Sequence, residues 1–196
     1  MNKKKPLNIT LAVTIAVVAV SLLGGRFLSS PVSSVVMSAA SETKTFETAP
    51  LKPDTLLSIQ SLKGSGCGRV EQFSATQLLA LPQQQFTTHH SWSEEAELFS
   101  GPLLQDVLDK TCSNAEKIKL TALNDYAIDM DFSEVKKFRP IIALSLNGKR
   151  LSIREKGPLW VMLPLDKHKI FDRSMDGLMI WQLSDITILK ANDKTL

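Results

Sequence analysis

Twenty residues without a charge, 6–25, stand directly behind Lys3, Lys4 and Lys5. No other feature limits the chain as much, because an all-round apolar run of this length suits a bilayer better than a small core. At a helical rise of 1.5 Å per residue, about 20 residues match the hydrocarbon thickness of a membrane. The lysines keep the start of the run in the cytoplasm and send the remainder of the chain across. We therefore expect residues 1–25 to be an N-terminal membrane anchor or signal segment that delivers the rest to the periplasm. Ser38-Ala39-Ala40 is a small-residue cleavage pattern, but it lies well beyond the apolar core. The expectation is a retained inner-membrane anchor; a soluble periplasmic domain cleaved near Ala40 is the alternative. No cysteine closely follows the run and no Arg-Arg pair precedes it, so neither lipoprotein nor twin-arginine export is indicated. Residues 26–53 carry Ser29, Ser30, Ser33, Ser34, Ser38 and Ser41 with Pro31, Pro50 and Pro53. That composition reads as a flexible tether.

Charge follows the same division. The chain of 196 residues has 23 basic and 20 acidic side chains. Lys3, Lys4, Lys5 and Arg26 precede residue 41, and every acid follows it. The remainder, with 19 basic and 20 acidic groups, carries no basic excess, so a nucleic-acid surface is not expected. Two cysteines without a CxxC pair exclude zinc ribbons and iron–sulfur sites.

Residues 54–196 alternate short apolar runs with turn signals. Residues 56–62 read as a strand, KGSGCG as a turn, and 69–73 as a returning strand. Ser74 caps a helix over 75–81 that Pro82 ends. Residues 86–92 read as a strand. Gly101-Pro102 is expected to open a second helix with proline at its first position, and Leu103, Leu104, Val107 and Leu108 form its apolar face. Residues 118–123 and 126–132 flank a turn at Asn124-Asp125, and Ser133 begins a helical turn. Asn147-Gly148 marks the clearest hairpin, between 141–146 and 149–153. Residues 159–163 and 179–189 are further strands. With no βαβ repeat, the expected class is α+β with a mixed, mostly antiparallel sheet and short helices.

The chain has no GxSxG, P-loop or GxGxxG motif. His89 and His90 are adjacent, so on a strand they point to opposite faces: one inward, the other to solvent or a cleft. A shared metal is not expected of them. His168 sits in a polar loop and reads as solvated. Glu94, Glu95 and Glu97 read as a solvated acidic loop. Lys149, Arg150, Arg154 and Lys156 read as a solvated hairpin, or else as an anion-facing edge leading to Gly157-Pro158.

In order, the segments FSATQLLALP, FTTHHSW, FSGPLLQDVL, TALNDYAIDM, LNGKRLSIREKGPLWVMLPL and MIWQLSDITI resemble the molybdopterin-binding domain of sulfite oxidase-like oxidoreductases, in its small periplasmic form. The resemblance covers residues 54–190 and implies that family's α+β core. It also implies a cysteine thiolate on molybdenum at the end of the strand over 86–92, where this chain reads Thr87-Thr88-His89-His90-Ser91. An arginine is common after the strand-opening Gly-x-Pro, where Trp160 stands in Gly157-Pro158-Leu159-Trp160. A Ser-x-Lys-Trp motif that holds the pterin phosphate corresponds to 178–181, where Trp181 matches and Ile180 replaces the lysine.

These departures and the export route agree, since cofactor-loaded members of the family leave the cytoplasm folded. The expectation is a membrane-tethered periplasmic binding or interaction module of sulfite oxidase-like fold, without cofactor or molybdenum catalysis. Its partner would be a small ligand or a membrane sensor protein that it regulates. The alternative is a molybdopterin-dependent oxidoreductase with a non-cysteine molybdenum environment. In either case the cleft rim is expected from His89, His90, Trp92, Asn124, Asp125, Tyr126, Gly157 and Trp160. In an oxidising compartment Cys67 and Cys112, both at element ends, either pair or remain as two isolated thiols.

Overall fold

A computed structural model describes residues 52–68 and 70–192. The expected anchor, the tether up to residue 51 and the cleavage pattern at Ala40 lie outside the described residues. Among the described residues no helix is long and apolar enough to cross a membrane.

Eleven strands and three short helices are described: β1 (Thr55–Ser61), β2 (Glu71–Ser74), α1 (Ala75–Leu79), β3 (Gln83–Thr88), β4 (Glu97–Pro102), α2 (Leu104–Leu108), β5 (Ala115–Ala122), β6 (Ala127–Asp131), α3 (Phe132–Val135), β7 (Ile141–Ala143), β8 (Ser145–Leu146), β9 (Lys149–Arg150), β10 (Trp160–Met162) and β11 (Leu183–Ala191). The largest sheet runs β2-β1-β11-β5-β6. It is mixed, because β1 and β11 are parallel while the other pairs are antiparallel. A four-stranded sheet, β3-β4-β8-β9, and the pair β10-β7 complete the fold. The class is α+β.

Alternation accounts for the main sheet. In β5, Ile118, Leu120 and Ala122 are buried while Lys117 and Lys119 are not. Leu57 and Ile59 of β1 and Leu183, Ile186 and Ile188 of β11 join the same core, as do Leu104, Val107 and Leu108 of α2. In the hairpin turn Asn147 has φ 50° and Gly148 φ 76°, the left-handed pair that a type I′ turn needs. Ser74 caps α1 through a full capping box: its hydroxyl accepts from the Gln77 N–H, and the Gln77 side chain accepts from the Ser74 N–H.

Several boundaries differ from expectation because long-range pairing overrides local signals. Pro102 does not open α2. It ends β4 opposite Gln83, and α2 begins at Leu104. Gly101 is needed there for close approach: a Cβ at this position would lie 1.9 Å from the Ile142 carbonyl oxygen. The strand expected over 86–92 begins at Gln83 and stops at Thr88, with Gln83–Gln85 paired to β4 despite their polarity. The closing strand starts at Leu183 rather than 179, because Gln182 turns through φ 54°. His168 is half-buried rather than fully solvated. Its ring stands edge-on to Phe138 with centroids 5.1 Å apart, and its Nε2 is buried without a hydrogen-bond partner.

Cys67 and Cys112 form a disulfide with Cα atoms 5.8 Å apart. It ties the turn after β1 to the end of α2. Closing a loop of 45 residues' separation stabilises a fold by about 4 kcal/mol in the chain-entropy model, and by about 2–4 in typical practice. Urea denaturation of the Cys67→Ser/Cys112→Ser double variant should therefore show stability lower by about 2–4 kcal/mol. An unchanged midpoint would show that the unfolded chain gains nothing from release of the loop.

Candidate functional site

The β3–β4 hairpin, the strand β10 and the turn before β11 meet around one aromatic cluster. Trp160 is its centre and is 1% exposed. The apolar run 159–163 buries it on β10, and its Nε1–H donates to the Met179 carbonyl at 3.1 Å, so the polar edge of a buried indole is satisfied. Phe99 stands edge-on to it at 5.4 Å between centroids, and His90 at 5.4 Å. Trp92 and Trp181 lie 5.9 and 6.3 Å away and are perpendicular to each other at 5.1 Å. These offset and edge-to-face arrangements are the favourable ones for aromatic pairs.

Beyond the end of β3 one of the adjacent histidines is buried and the other exposed. The His90 side chain is fully buried, and its Nε2 lies 2.8 Å from Glu97 Oε2. The Trp92 backbone N–H donates to His90 Nδ1 at 3.2 Å. That bond makes Nδ1 the acceptor and places the ring hydrogen on Nε2, which donates to the carboxylate. Both imidazole nitrogens are thus engaged. His89 is mostly exposed, with its Nδ1 2.9 Å from Asp166 Oδ2 and its backbone N–H donating to Asp166 Oδ1. The buried Thr88 hydroxyl accepts from the Asp166 N–H and donates to the His89 carbonyl. Glu97 is therefore not part of a solvated loop; Glu94 and Glu95 are more open to solvent, as expected.

Two cavities flank the cluster. The larger, about 410 Å³, is lined by Trp92, Ala122, Asn124, Tyr126, Asp176, Gly177, Met179, Ile180 and Trp181. The smaller, about 250 Å³, includes His89, His90, Ser91, Asp166, Arg173 and Asp176 in its wall. Of the expected rim residues, Trp92, Asn124 and Tyr126 line the first and His89 and His90 the second. Asp125 stands at the exposed turn tip with φ 64° and lines neither. Two of the expected rim residues lie deeper. Trp160 is buried behind Trp92 and Trp181 and lines neither cavity. Gly157 is buried as well, packed so closely on Leu151 that a Cβ would meet its carbonyl at 2.7 Å.

The basic residues 149–156 do not behave as one solvated hairpin. Lys149, Arg150 and Arg154 are exposed, but Lys156 folds back over the indoles. Its Nζ lies 4.7 Å from the Trp160 centroid and 5.7 Å from those of Trp92 and Trp181, within cation–π range. Burial there holds its pKa below the ordinary lysine value, against a smaller opposite pull from Glu97. Sequence reasoning missed Lys156, Glu97 and Asp176 as site residues. For Glu97 a signal existed: the hairpin register sets it opposite Thr88, two residues from His90.

The larger cavity offers a molybdopterin neither a thiolate nor a cation. The chain's two cysteines are joined to each other, so neither offers a thiolate. Asp176 is the one charged residue lining the larger cavity, and a phosphate dianion beside it would have no cation in the lining. Among the described residues no three His, Cys, Asp or Glu side chains are grouped to hold a metal ion.

The folded pKa of Lys156 lies below its unfolded value, so folding carries a cost while the lysine is charged. That cost fades as pH rises through the folded pKa toward the ordinary 10.5. Tryptophan emission of a Tyr126→Phe background should show a titration below the ordinary lysine value. The same titration should be missing once Lys156→Met is added.

No family model matches the chain, and no curated protein does. Among solved structures the chain is similar to the sulfane dehydrogenase SoxCD from Paracoccus pantotrophus, with a TM-score of 0.53 and 12% sequence identity. The likeness covers 75% of this chain and 41% of that one, so this chain spans less than half the length of its neighbour. At such identity the likeness concerns architecture alone: the chain is an α+β domain distantly related in fold to that dehydrogenase.

Proposed function

We propose that this chain is a membrane-tethered periplasmic binding or interaction module on a sulfite oxidase-like fold, working without molybdenum chemistry. The observation that carries this reading is the commitment of the side chains where a cofactor would need donors. His90 gives both ring nitrogens to protein partners, both cysteines sit in a disulfide, and Trp160 and Ile180 stand where the family resemblance implies cationic residues. The fold likeness to SoxCD supports the frame. The uncharged run behind Lys3–Lys5 supports the tether and the compartment. The cavity beside Tyr126 is the binding surface, for a small ligand or for a loop of a membrane sensor that the module regulates.

Molybdenum and pterin should be quantified in full-length chain purified from its native membrane. The expected result is metal far below one atom per chain, unchanged by His89→Ala or His90→Ala. One molybdenum per chain, with pterin lost in those variants, would establish the alternative of an oxidoreductase with a non-cysteine metal environment.

A further inference from the structure

The larger cavity has a definite chemical character. Its lining holds two of the chain's three tryptophans, Trp92 and Trp181, and the chain's single tyrosine, Tyr126. Its one charged residue is Asp176, whose side chain is only 19% exposed. From this pairing of electron-rich rings with a lone carboxylate, we infer that the cavity takes an organic ammonium, a cationic nitrogen carried on an apolar or aromatic body. The inference rests on the cavity's being the binding surface proposed above and adds the class of ligand.

Three observations carry it. Aromatic faces attract cations, most strongly where water is excluded. This cluster already does so, since the same indoles hold the Lys156 ammonium within 5.7 Å of their centroids. Asp176 supplies the counter-charge. Its present partner is Arg173 Nε at 3.2 Å, on a side chain that is 77% exposed. An ion pair so open to water is weak and readily exchanged for a ligand nitrogen. The volume of about 410 Å³ falls within the range of small-molecule pockets.

Other ligand classes fit less well. A carboxylate, sulfonate or phosphate would sit against Asp176 with no cation in the lining, and a neutral ring would leave the half-enclosed carboxylate to Arg173 alone. Lys156 is close enough to oppose a second cation. It does not line the cavity, however, and the neighbouring Glu97 charge supports it.

All three tryptophans of the chain belong to the cluster, so their emission reports the site directly. The full-length chain in a non-ionic detergent should be titrated with phenethylammonium and with two probes of similar shape, neutral 2-phenylethanol and anionic 3-phenylpropionate. Phenethylammonium should bind saturably, and about tenfold or more tightly than either control, as expected of a charge-assisted contact. Asp176→Asn should bring it down to the level of 2-phenylethanol. Tyr126→Ala, at an exposed turn where the fold is tolerant, should weaken the ammonium severalfold with no change in thermal midpoint. The inference is overturned if either control binds as well as the ammonium, if Asp176→Asn keeps the preference, or if no probe saturates. Saturable binding of the controls without the ammonium would overturn it too, while leaving the binding module standing with another ligand. Stoichiometric molybdenum would remove the module reading itself.

Discussion

The site depends on one buried hydrogen bond with a ring packed around it: the Trp160 indole donating to the Met179 carbonyl. An indole N–H taken out of water without a partner is costly, so this bond fixes where β10 can lie against the chain that leads into β11. Backbone contacts reinforce the same join. Trp160 bridges Trp181, and the Val161 N–H donates to the Ile180 carbonyl. Once the indole is fixed, its faces and edges set the positions of His90, Phe99, Trp92 and Lys156. A smaller residue at 160 would leave a void that several aromatic neighbours share, and large-to-small changes of that kind destabilise cores by roughly 3–5 kcal/mol.

That packing also divides the surface chemically. On one side lies a cavity walled by aromatic rings and methionine with a single carboxylate; on the other lies a smaller cleft where His89, Asp166 and Arg173 stand among Leu165, Ile170 and Phe171. Asp176 belongs to both walls. The exposed Arg173 reaches from one to the other, its Nε donating to Ser91 Oγ as well as to Asp176. A family resemblance that implies an anionic cofactor is thus combined with a lining that favours positive charge. The fold likeness to SoxCD concerns the frame alone; the side chains within it are what the proposal of a cationic ligand rests on.

Features decided locally were legible in the sequence. Asn147-Gly148 specifies its own turn, Ser74 its cap, and 103–108 its buried face, because each signal and its partner lie within a few residues. The burial of His90 beside an exposed His89 matches the expectation from a strand's two-residue period, although β3 ends at Thr88 and contacts with Glu97 and Asp166 hold the two rings. Illegible features are those decided by contacts far along the chain. Gly101-Pro102 carries a good helix-start signal, but pairing with Gln84 and Gln83 takes those residues into β4. Analogy with a charged residue puts Trp160 on a rim, although its apolar neighbours 159–163 mark it as interior. Lys156 has no local signal at all. Its place over the indoles arises only when β10, the β3–β4 hairpin and the start of β11 come together.

A closed aromatic floor occupies this cleft, and hydrogen exchange of the three indole N–H groups in the full-length chain probes that floor one ring at a time. Protection should rank with burial and hydrogen bonding. The Trp160 indole should exchange only through global unfolding, far more slowly than those of Trp92 and Trp181. Exchange of Trp160 at the same rate as its two half-exposed neighbours would contradict it, because the floor would then open while the rest of the domain stays folded.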